Sequence, residues 1–188
     1  MSLLIVGVFV WSLTHLFPAV LPGPRQNLER KLGENPYRGL FSLFIIGGLI
    51  MIVLGWKSTT PGTVYAPPLA SGSVSSVLVL IGFVLFFASQ APGNIKRFIR
   101  HPQMTGTILW GVAHLLTNGD TRSVTLFGGL TVWAVLEIVM INRRDGLWQR
   151  PGPAAIRFDV IPLIIGSVAF AVVLYFHGSL FGVSPLAG

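Results

Sequence analysis

The sequence predicts an all-α integral membrane protein, a bundle of about six transmembrane helices. Three observations carry that reading. Of 188 residues, 52% are hydrophobic and only 10% are charged, whereas a soluble domain carries roughly 25% charged residues. Mean hydropathy is +0.74, and the apolar residues gather into runs close to the ~20 residues that a spanning helix needs. Too little polar surface is left to face water, so lipid is the solvent for most of the chain.

The first run extends from Leu3 to Leu21. It has no basic stretch before it and no small-residue cleavage site after it, so it is expected to stay as a helix and not to be removed as a signal peptide. The second runs from Gly39 to Trp56 and the third from Ser73 to Ala88. The fourth, Pro102 to Leu116, starts on a proline suited to a first helical turn. Val124 to Ile141 and Phe158 to His177 complete the set. A single transmembrane domain over residues 1–188 is the expected organisation.

Thirteen Lys and Arg against six Asp and Glu give a formal charge of +7. In this setting the basic residues are topology signals and contacts to the lipid bilayer, and no nucleic-acid partner is expected. Arg25, Arg30, Lys31 and Arg38 lie in the first loop, Lys96, Arg97 and Arg100 in the third, and Arg143, Arg144, Arg150 and Arg157 in the fifth. Only Lys57 and Arg122 remain for the second and fourth loops. Basic residues near span ends stay on the cytoplasmic side, so the odd-numbered loops are expected inside and both termini outside. The absence of cysteine excludes disulfides, thiolate metal sites and a cysteine nucleophile. Glycines within the runs, among them Gly48, Gly82, Gly106 and Gly166, are read as close-packing positions between helices.

Ionisable side chains inside spans are costly and are therefore candidates for function. They are His15, His101, His114, Glu137, Asp159 and His177. In the expected topology His15, His101 and Glu137 lie toward the inner face, while His114 and His177 lie toward the outer. Asp159 opens the last span, where a carboxylate suits the helix dipole. His101 and His114 are separated by about 20 Å along a helix axis and by about 140° around it. They cannot share a metal ion, nor hold two stacked haems against one partner helix. If a haem iron is bound, His15 and His101 are the pair to choose, since neutral imidazole is a common iron ligand. The simpler reading of Glu137 is a carboxylate reaching Arg143 or Arg144. Lys96, Arg97 and Arg100 are placed to hold a headgroup or the propionates or phosphates of an anionic cofactor, beside their part in topology.

The run Arg100-His101-Pro102-Gln103-Met104-Thr105-Gly106, continuing through Trp110, Ala113-His114-Leu115 and Asn118-Gly119-Asp120, resembles the NnrU family. So do His15 with Pro18, Tyr37-Arg38-Gly39-Leu40 and Leu180-Phe181-Gly182-Val183, so the likeness spreads over nearly the whole chain. The resemblance implies a multi-pass protein of the bacterial inner membrane linked to denitrification, with nitrogen-oxide respiratory proteins as partners. The related plant zeta-carotene isomerase holds haem b through histidine. Carried over, this implies haem b as cofactor, with His15 and His101 as iron ligands, and a redox or isomerase-like activity. That isomerase's alternative cysteine ligand has no counterpart here, which weighs against ligand exchange and carotenoid isomerisation.

The Arg-His-Pro motif is also similar to that of membrane methyltransferases acting on isoprenylcysteine or phospholipids. Those enzymes usually carry two adjacent glutamates after the next helix, where this chain has Asn142-Arg143-Arg144-Asp145 and Glu137 alone. A third reading is a non-enzymatic assembly factor or transporter with metal at His114, Asp120 and His177.

Overall fold

The computed structural model describes residues 1–68, 71–183 and 185. Among them the regular structure is helical, relieved only by one antiparallel bridge between Thr63 and Asp120. Every apolar run of the sequence lies on a helix. These are α1 (Ser2–Val20), α3 (Glu34–Ser58), α4 (Ser71–Ala88), α5 (Pro102–Thr117), α6 (Thr121–Asp145) and α7 (Arg157–Phe181). Four of them, α1, α3, α6 and α7, are long and apolar enough to cross a membrane. The 16 residues of α5 extend about 24 Å at ~1.5 Å each, short of a hydrocarbon core of ~30 Å.

Besides a 3-10 turn at Asn94–Arg97, one further helix, α2 (Pro22–Leu32), occupies what the sequence presents as the first loop. Its 11 residues are mostly polar, with Arg30 and Lys31 in the last turn where cations complement the helix dipole, and no residue is buried. Gly33 ends it at φ 87°, a conformation that costs glycine little. α6 is interrupted by a π turn at Val124–Gly128, an extra residue held within an otherwise α-helical segment.

The chain divides into two compact units. The first comprises Met1–Ala66 and Gly119–Leu147, and therefore α1, α2, α3 and α6. Its packing rests on glycines. A Cβ on Gly7 would lie 2.6 Å from the Ile52 nitrogen, one on Gly48 3.1 Å from the Trp11 nitrogen, and one on Gly55 would strike the Leu4 backbone. α1 and α3 thus touch backbone to backbone, with Leu4, Val8 and Ile52 buried at their seam. α6 joins through Gly129, whose missing side chain leaves room for Val8.

The end of this unit where α3 finishes and α6 begins is closed by polar contacts. Asp120 caps α6, accepting from the Arg122 and Ser123 backbone N–H groups at 2.9 and 3.2 Å and from the Ser123 hydroxyl at 2.5 Å. Arg122 donates to the Trp56 and Thr59 carbonyls, both at 3.3 Å, at the end of α3, and its guanidinium lies 4.7 Å from the Trp56 ring centroid. Burial pushes the Asp120 carboxyl up, but hydrogen bonds from Ser123 and Arg122 and the Arg122 charge outweigh it and hold the group below its usual value.

The second unit, Pro67–Asn118 with Trp148–Gly188, contains α4, α5 and α7. Gly82 and Gly106 bring α4 and α5 together, a Cβ on either falling within 3 Å of the other's carbonyl oxygen, and Gly166 of α7 meets the Val84 backbone on α4.

Candidate functional site

In the first unit His15 lies at the centre of an aromatic group drawn from three helices. α1 supplies Trp11 one turn earlier, with ring centroids 4.4 Å apart. α6 supplies Trp133 at 5.1 Å and α3 supplies Phe41 at 6.1 Å, both edge-on. The spacing of four residues along α1 lets His15 Nδ1 donate to the Trp11 carbonyl at 2.8 Å. A carbonyl only accepts, so Nδ1 carries the proton and Nε2 keeps its lone pair. This is the arrangement in which a metal-binding histidine is oriented by its other ring nitrogen.

Glu137 belongs to the same group, one turn beyond Trp133 on α6, and is 9% exposed. The ion pair with Arg143 or Arg144 expected from sequence does not form. Arg144 pairs with Asp145 at 2.7 Å and donates to the Pro18 carbonyl at 3.4 Å. Among the described residues, Glu137 Oε2, the Trp11 indole nitrogen and the Ser12 and Tyr37 hydroxyls are buried without a hydrogen-bond partner, while the Trp133 indole approaches the Glu137 carboxylate. Each such group costs about 1–3 kcal/mol relative to a satisfied one, so the concentration of them around α1, α3 and α6 marks a region that packing alone does not explain.

His101 and Arg100 are in the second unit, both half-buried, immediately before α5. His101 occupies the N-cap position and Pro102 the first turn. The His101 carbonyl accepts from the Thr105 N–H and hydroxyl, both at 3.0 Å. The segment leading to this motif is fastened by Asn94, which donates to Asp159 Oδ2 at 2.6 Å and to the Ala154 carbonyl at 2.8 Å and accepts from the Ala154 N–H at 3.0 Å. Asp159 Oδ1 also accepts from the Ile95 N–H at 3.1 Å. Asp159 is therefore an anchor across 64 residues of sequence as well as a helix-start carboxylate.

The two candidate iron ligands thus belong to different compact units, and within neither unit do they meet. His114 shares the local pattern of His15, with Nδ1 donating to the Trp110 carbonyl at 2.8 Å. His177 is half-buried, its Nδ1 donating to the Val183 carbonyl at 2.6 Å. Asp120 belongs to the first unit and these two histidines to the second. Among the described residues no three His, Asp or Glu side chains gather as a metal site.

The sequence singled out His15 and Glu137 as ionisable residues and Tyr37 only as part of a family motif, while Trp133 was passed over. Trp11 was legible in principle, four residues before a histidine within one helix. Trp133, more than a hundred residues away, joins the group only through tertiary packing.

A family profile described as NnrU protein matches residues 3–185. No curated protein and no solved structure gives a match.

Proposed function

The chain belongs to the NnrU family, and on that premise we propose that it is a haem b protein of the bacterial inner membrane serving nitrogen-oxide respiration. The observation that carries the reading is the state of His15. Its ring is pinned through Nδ1, flanked by Trp11, Trp133 and Phe41, and presents the Nε2 lone pair. That donor fits an iron ligand, and the aromatic surroundings fit the apolar macrocycle.

His15 and His101 are the proposed ligands, and Arg100 the proposed partner of a propionate. Bound haem would supply one-electron redox chemistry. The protein's part is to fix the His15 tautomer through the Trp11 carbonyl, to keep water from the iron side with three aromatic rings, and to place a carboxyl nearby through Glu137. We further propose that all six apolar helices cross the membrane as a single functional domain, the odd-numbered loops inside and both termini outside.

The test is an absorption spectrum of the detergent-purified chain, expressed with adequate haem and recorded oxidised and dithionite-reduced. Wild type should show the sharp reduced bands of six-coordinate haem b. His15→Ala and His101→Ala should each lose haem or become five-coordinate. Full haem content and an unchanged spectrum in both variants would overturn the ligand assignment.

A further inference from the structure

A groove of about 290 Å³ runs along the first unit, lined by Leu13, Phe17, Leu28, Tyr37, Leu40 and Phe44 from α1, α2 and α3. Its walls are exposed hydrocarbon: Leu13 is 62%, Phe44 52% and Leu40 38% accessible. One end differs in kind. There α2 contributes Leu28 to the wall, and Arg25, one turn earlier on the same face, sets its guanidinium 5.7 Å from the Tyr37 ring centroid. Residues 22–38 around this end carry four basic side chains and two acidic ones, a local charge of +2. Tyr37 itself is 7% exposed, and its hydroxyl is buried without a hydrogen-bond partner among the described residues.

An apolar channel that ends at a cationic helix lying between two spans matches one kind of molecule. We propose that the groove binds an anionic phospholipid, one acyl chain lying between Leu13, Leu40 and Phe44 and the phosphate resting against Arg25. The existing Arg25–Glu29 ion pair, at 3.2 Å with both side chains at least 30% accessible, is a weak surface contact that a phosphate can displace. Charge sets the headgroup preference, since juxtamembrane Lys and Arg favour anionic lipid, and the long Arg25 side chain can reach the interface while its stem covers the apolar wall. Phe41 lines both this groove and the aromatic group at His15, so the two sites adjoin.

The test presents the full chain with mixed micelles of phosphatidylglycerol and phosphatidylcholine in equal amounts and counts retained lipid by native mass spectrometry. Wild type should retain one phosphatidylglycerol per chain in preference to phosphatidylcholine. Leu40→Trp, which fills the groove, should abolish retention. Arg25→Gln should equalise the two lipids. Circular dichroism checks that each variant keeps its helices. Equal retention of both lipids by wild type, retention unaffected by Leu40→Trp, or a neutral isoprenoid lipid held in place of phospholipid would each overturn the proposal.

Discussion

At the residue scale, one local helix cap and one contact between distant parts of the sequence have measurable consequences. Asp120 titrates below its ordinary value of 3.8 because hydrogen bonds and Arg122 favour the charged form. A carboxyl depressed in the folded state contributes stability that is full above pH 3.8 and is lost as pH falls through the folded value. In thermal melts across roughly pH 2–5, the span over which carboxylates protonate, Asp120→Asn should show a smaller acid-side loss than wild type. Asp120→Ala removes the helix cap as well and should cost about 1 kcal/mol at neutral pH. Asn94→Ala strips partners from Asp159 and from both polar atoms of Ala154. It should lower the melting temperature more than the isolated loss of one surface hydrogen bond, while Asn94→Asp should fail to rescue it because a second carboxylate would face Asp159.

At the element scale, stability depends on how closely helix backbones approach. Gly55→Leu drives a side chain into the Leu4 backbone and should prise α1 from α3, a cost of about 1–3 kcal/mol by overpacking if the helices can shift. Gly47→Leu, next to Gly48 but with open space around its Cβ position, should leave the melting temperature nearly unchanged. The contrast separates packing from helix propensity, which both substitutions improve equally. Hydropathy made the six apolar helices legible, since each is a run of residues that only lipid or protein can cover. α2 was not legible on that ruler: its signals are Pro22 at the start, Gly33 at the end and a basic last turn, and it carries too few apolar residues for a hydropathic run. The aromatic group at His15 was half legible, for the Trp11 contact is local whereas Trp133 and Phe41 depend on helix order, which hydropathy does not encode. Glu137 was misread for the same reason, because Arg144 turns to Asp145 and Pro18 instead.

At the scale of the whole molecule, the charge distribution makes a claim about orientation that the chain is well suited to test, having no cysteine of its own. In intact cells a membrane-impermeant maleimide should label Lys57→Cys and spare Lys96→Cys, and permeabilisation should expose both. Labelling of Lys96→Cys from outside would reverse the topology proposed above. The π turn in α6 has a consequence of another sort. Upstream of it stand Asp120 and Arg122, which close the junction with α3, and downstream stand Trp133, which faces His15, and Glu137 one turn further on. A residue deleted elsewhere in a helix rotates everything beyond it by about 100°, but one deleted from Val124–Gly128 can be absorbed by relaxing the wide turn to ordinary pitch. The two ends of α6 therefore share one rod with a built-in phase adjuster, and this is the place in the span where the length of the chain can change without the site losing its aim.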